Sequence, residues 1–124
     1  MIYFDNAATT SVNKQVLDAY YDLCLKYYGN ASSNHAYGLE SSRLLSYARE
    51  QILKLFGLEK THQLVFTSGA TEANNLAIKG VALAYKNRGK HLITTSIEHP
   101  SVLNAFKQLE EEFGFEVTSV SYTH

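Results

Sequence analysis

Apolar residues follow two different rhythms along the chain. In the first sixty positions they recur every three or four residues. Val16, Leu17, Tyr20, Leu23, Cys24 and Tyr27 share one face of a helix predicted over 13–28 and ended by Gly29. The stretch Asn30-Ala-Ser-Ser-Asn-His35 is dense in small polar turn formers, and Gly38 precedes a second amphipathic run beginning near Leu39. That run carries Leu44, Leu45, Ala48, Ile52 and Leu55-Phe56, with Gly57 placed to cap its C-terminus.

From Gln63 onward short apolar runs alternate with helical ones: strand 64–66, helix 71–85, strand 92–94, helix 100–113 and strand 116–121. This βαβαβ series predicts an α/β fold with a parallel sheet buried on both faces and right-handed crossovers. Pro100 suits the first turn of its helix, and Val102, Phe106, Leu109 and Phe113 form that helix's expected core stripe. The last strand runs toward Tyr122-Thr-His124, where its edge needs cover from a later strand or another chain. Three strands are also fewer than a doubly wound sheet normally has, so the series reads as unfinished.

Composition narrows the function classes. With 124 residues, 45% hydrophobic and 19% charged, the chain has enough apolar material for one domain. A net charge of -1 gives no bulk attraction to nucleic acid or to an anionic membrane, and neither is expected as a partner. The N-terminus lacks the pattern of a secretory signal, and no apolar run approaches the roughly 18 residues of a membrane span, so a soluble cytoplasmic protein is expected. A single cysteine, Cys24, excludes an internal disulfide; its place on the apolar side of a helix reads as a buried structural thiol. No metal site is expected.

Two strand-to-helix junctions carry candidate chemistry. The first is Phe66-Thr-Ser-Gly-Ala-Thr-Glu-Ala-Asn74, without the Gly-x-Gly-x-x-Gly or P-loop pattern. Free N–H groups of a first helical turn, together with the helix dipole, make such a junction an anion site. Gly69 permits close approach of a ligand, and Thr71 offers an N–H and a hydroxyl to a phosphate. The same residues equally describe an ordinary helix start capped by Ser68 or Thr71. The second junction is Thr95-Ser-Ile-Glu-His99, where His99 suits stacking on a planar group or acid–base work, although a lone histidine before a proline is more often a cap or surface residue. If both strands belong to one parallel sheet, the two junctions meet at a crevice beyond the strands' carboxyl ends.

Four segments, in order and spacing, bear a further likeness: Tyr3-Phe-Asp-Asn-Ala-Ala-Thr-Thr10, Gly29-Asn-Ala-Ser-Ser-Asn-His35 with Gly38, Phe66 to Asn75, and Glu98-His-Pro-Ser-Val102. Together they resemble the cysteine desulfurases of the class V aminotransferase group, in the nitrogen-fixation and iron–sulfur housekeeping branch. Ala31 departs from the proline common in that branch, and Asn34 occupies a variable position. The resemblance implies part of the large domain of a fold type I, aspartate aminotransferase-like transferase using pyridoxal 5'-phosphate (PLP). Residues 1–60 would form an N-terminal arm and helices, and 61–124 a partial PLP-binding domain.

Carried over by position, the resemblance makes Ala70 and Thr71 the phosphate-binding pair and His99 the catalytic, ring-stacking histidine. Asn6, Ala7 and Thr9, with Asn30 and His35, would line the substrate region. It further implies conversion of L-cysteine to L-alanine, with sulfur passed to an enzyme cysteine as persulfide for iron–sulfur or other sulfur biosynthesis. A sulfur-accepting or scaffold protein and a homodimeric enzyme belong to the same expectation. The family's cofactor-holding lysine, its pyridinium-pairing aspartate and its mobile-loop cysteine come later in the family's chain. No lysine here follows a histidine, so this chain alone is expected to be inactive, as one segment of a longer or split enzyme. The alternatives are a non-catalytic PLP- or phosphate-binding module, and a segment of another class V enzyme such as a selenocysteine lyase or a kynureninase-like protein.

Overall fold

The structure, a computed structural model, describes residues 2–121. It divides into two compact units, Met1–Val65 and Phe66–His124.

In the first unit, helix α1 spans Lys14–Lys26 and helix α2 spans Ala36–Leu55. Asn13 starts α1 by accepting the N–H groups of Gln15 and Val16 on Oδ1 at 2.9 and 3.4 Å, satisfying donors that have no partner inside the helix. The helix stops at Lys26 with Tyr27 as cap, short of Gly29. Helix α2 begins three residues before the expected Leu39, because the His35 ring accepts the Gly38 N–H at 3.3 Å and so acts as N-cap. Gly38 therefore lies inside the helix, where a Cβ would stand 2.3 Å from the Ser33 carbonyl oxygen and 2.6 Å from that of Asn30. Gly57 ends α2 as expected. It takes φ 66°, donates to the Lys54 carbonyl, and lets Leu58 donate back to Leu53, the paired bonds of a Schellman motif.

None of the α1 residues is buried. Cys24 is exposed, which overturns its expected burial: an apolar helix face is a core position only where another element covers it. The buried residues of α2 are Gly38 and Ser41, and the Ser41 hydroxyl donates to the carbonyls of Tyr37 and Tyr27 at 3.2 and 3.4 Å.

In the second unit the order is α3 (Ala70–Ala84), β1 (His91–Thr95), α4 (Pro100–Phe113) and β2 (Glu116–Val120). The strands pair in parallel from His91↔Glu116 to Thr95↔Val120, with α4 as their crossover. The α/β class stands, but residues 64–66 take no part in the sheet, which among the described residues holds β1 and β2 alone. A strand exists only as one side of a ladder, so an apolar run without a neighbour stays irregular. The end of the expected last strand, 122–124, lies outside the described residues.

Leu92, Thr94 and Val117 are half-buried on one sheet face, whereas Ile93 and Val120 are exposed on the other. The expected two-sided burial is thus one-sided here. The core consists of Ala82, Leu109 and Phe115, supported by Ile78, Leu83 and Leu92. Gly114 at φ 68° turns the chain at the end of α4, and Phe115 donates back to the Leu109 carbonyl at 3.1 Å. The buried stripe of α4 is Ser101, Ala105 and Leu109, sharing Leu109 with the expected stripe. Phe113 is exposed, because α4 buries the side that meets α3 and the strands. No helix of the described residues is long and apolar enough to cross a membrane.

Candidate functional site

The first turn of α3 is built to leave its amides open. Gly69 is the N-cap residue, and no side chain caps the helix. The first intrahelical bond runs from the Ala73 N–H to the Gly69 carbonyl. The N–H groups of Ala70, Thr71 and Glu72 consequently have no acceptor within the helix. Neither Ser68 nor Thr71 is the cap. Instead the Glu72 carboxylate reaches back and accepts from both the N–H and the hydroxyl of Ser68, each at 2.7 Å. Those two donors hold its carboxyl below the usual glutamate range, and the backbone N–H contributes most. Ser68, an expected cap, is thereby occupied on the loop side. Nothing lies within 4 Å of where a Gly69 Cβ would be, so the approach to these amides is open.

His99 ends the loop that leaves the carboxyl end of β1. Ser96 continues the ladder by donating to the Val120 carbonyl at 3.0 Å, and the Thr95 hydroxyl donates to Glu98 at 2.9 Å. His99 is also the N-cap of α4: its Nδ1 accepts the Ser101 N–H at 3.1 Å and lies 2.9 Å from the Ser101 hydroxyl. The capping role and the exposed ring coexist, since one nitrogen does the capping.

The second unit joins the two helix starts. The Asn74 amide donates to the Ser101 hydroxyl across 2.9 Å, tying the opening turns of α3 and α4 together. Lys79 donates to Gln108 further along the same helix pair. The two junctions therefore come together through adjacent helix starts, although the expected first strand does not form. Sequence reading missed Asn74 and Ser101. Their only signal was spacing: Asn74 lies one turn after Ala70, and Ser101 two residues after His99.

The remaining candidates lie in the first unit. Asn6, Ala7 and Thr9 belong to an exposed turn in which the N–H groups of Ala8 and Thr9 both donate to the Asp5 carbonyl and the Tyr3 hydroxyl meets the Thr9 hydroxyl at 2.6 Å. Asn30 Oδ1 accepts from the Ser32 N–H at 2.9 Å in a second turn, and His35 caps α2. Thr9, Asn30 and His35 thus have local structural tasks, and Asn6 and Ala7 lie within the turn that Asp5 and Thr9 close. A cavity of ≈ 380 Å³ in this unit is lined by Lys26, Tyr27, Glu40, Arg43, Leu44 and Tyr47; none is a candidate residue, and the loop chemistry is the better guide to function. Among the described residues no three metal-ligating side chains cluster.

The family model for aminotransferase class-V matches residues 2–124. A human (Homo sapiens) cysteine desulfurase is 50% identical over 118 residues, covering 94% of this chain and 25% of that protein. Two solved structures share the fold. A NifS-like protein has a TM-score of 0.84 and 39% identity, over 96% of this chain and 32% of its own. A structure described as SspA in complex with cysteine has 0.77 and 40%, over 95% and 33%. The chain thus spans about a quarter of the length of the curated relative.

Proposed function

This chain belongs to the class V aminotransferase family, and from that premise we propose that it forms the cofactor-phosphate and ring-facing part of a PLP-dependent cysteine desulfurase. The observation that carries the reading is the open first turn of α3 standing beside the His99 cap of α4. The residues fit the cofactor: uncapped amides and a helix dipole suit a phosphate dianion, and an exposed imidazole suits a planar ring.

Ala70 and Thr71 would hold the phosphate through their N–H groups, with the Thr71 hydroxyl as a further donor. His99 would face the ring and carry a proton on Nε2, since Nδ1 is engaged by Ser101. When bound, PLP supplies an electron sink for chemistry at an amino acid's α-carbon. In the first unit Asn6, Ala7, Thr9, Asn30 and His35 would border the substrate. L-cysteine is the proposed substrate of the whole enzyme, consistent with a similar solved structure that holds cysteine. We place that enzyme in the cytoplasm as a homodimer delivering sulfur to an acceptor protein for iron–sulfur or related biosynthesis. The 124-residue chain by itself should form no alanine from L-cysteine above the rate of free PLP.

A chimera tests the reading: this chain replaces the matching segment of a cysteine desulfurase relative, and alanine and sulfide release are measured. Activity is expected, with Thr71→Ala weakening PLP retention by about 1.5–3 kcal/mol, as for a lost hydrogen bond to a charged group. A folded chimera that binds PLP but leaves L-cysteine intact would refute the desulfurase assignment. That outcome would favour a phosphate-binding module, a role compatible with a cradle formed entirely within the second unit.

A further inference from the structure

We propose that Asn74 and Ser101 are positioning residues that fix which nitrogen of His99 carries its proton, an assignment that rests on reading His99 as the cofactor-facing histidine. The Ser101 backbone N–H stands 3.1 Å from His99 Nδ1. An amide N–H can only donate, so Nδ1 accepts and bears no proton. The Ser101 hydroxyl is 2.9 Å from the same nitrogen, and its own orientation is set from the neighbouring helix. Asn74 Nδ2 donates to that hydroxyl oxygen across 2.9 Å, which occupies a lone pair and leaves the hydroxyl proton directed at Nδ1.

Both donors of Ser101 thus converge on one ring nitrogen, and the proton of the neutral imidazole sits on Nε2. Burial supports the division of labour. Ser101 is 8% exposed, shielding the orienting contacts from water, whereas the His99 ring is exposed. Asn74 is in the second turn of α3, one turn after Ala70. One short relay of hydrogen bonds therefore runs from Asn74, on the proposed phosphate-holding helix, to the proton-free nitrogen of His99, and leaves the proton on the opposite side of the ring.

The test uses the ¹⁵N-labelled chain without cofactor, at a pH where His99 is neutral, with long-range ¹H–¹⁵N correlations read from its ring. The wild-type chain should show an unprotonated Nδ1 and a protonated Nε2. Asn74→Asp places an acceptor where the amide donor stood, draws the serine proton away from the ring, and should move the two ring nitrogen shifts toward each other. Asn74→Ala should do so by a smaller amount. The amides of Ala82, Leu109 and Phe115, monitored in the same samples, report whether the core is intact. A protonated Nδ1 in the wild-type chain would overturn the proposal even if neither variant folded. So would folded Asn74 variants whose ring nitrogens stay at the wild-type shifts. Because no cofactor is present, either failure is separate from a failure of PLP to bind.

Discussion

The second unit closes around Ala82, Leu109 and Phe115, while in the first unit the buried residues are Gly38 and Ser41. Both units carry amphipathic helices, so periodicity alone does not separate them. The difference lies in what meets the apolar face. In the second unit a βαβ crossover forces α4 back over its own strands, and α3 packs beside it. In the first, α1 leaves Val16, Leu17 and Tyr20 more than half exposed; there, order comes from turns and caps: the Asn30 turn, the His35 cap and the Ser41 bonds to two carbonyls. An apolar stripe specifies a helix, and only topology makes it a core.

The contrast can be broken or sharpened by substitution. The largest effect is expected for Leu109→Ala, which empties a fully buried position and should cost about 2–5 kcal/mol in denaturant unfolding of the second unit. Leu17→Ala on α1 should stay within about 0.5 kcal/mol; equal costs would erase the distinction between the units. Next comes Gly38→Ala. Its Cβ would collide with the carbonyls of Ser33 and Asn30, and an overpacking cost of about 1–3 kcal/mol should appear as lost amide protection at the start of α2. Removing the α1 cap with Asn13→Ala should cost about 1 kcal/mol of local helix stability, read by circular dichroism.

The smallest effect concerns pH. Ser68 holds the exposed Glu72 carboxyl below its usual range. The ionised form is therefore the one favoured in the folded loop. Its contribution is fully present above the ordinary glutamate pKa and is lost as pH falls through the lowered folded value. The Ser68 amide shift should titrate below the ordinary glutamate range, and Glu72→Gln should abolish that step.

Much of this was legible in the sequence because it is local. Pro100 to Phe113 is a helix with the bounds that Pro at N1 and Gly114 after the end imply, and Gly57 sits at the positive φ that its place after an apolar run suggested. What escaped depends on distant partners. Residues 64–66 have strand composition but no place in the sheet of the described residues, and Cys24 has the spacing of a core residue but is exposed, on a helix none of whose residues is buried. His35 as a cap was hidden because histidine is an uncommon N-cap. The candidate site divides the same way: Thr71 and His99 were singled out by junction chemistry and Ala70 by the resemblance, whereas Asn74 and Ser101 meet only because α3 and α4 pack together.

The function proposed here turns on a phosphate cradle in the second unit at Ala70 and Thr71, with His99 beside it. Its most direct test is titration of the ¹⁵N-labelled chain with PLP and, in parallel, with pyridoxal lacking the phosphate. PLP should move the amides of Ala70, Thr71 and Glu72 together with the His99 ring, and pyridoxal should leave the three amides in place. Identical responses to both compounds, or shifts confined to the first unit, would contradict it.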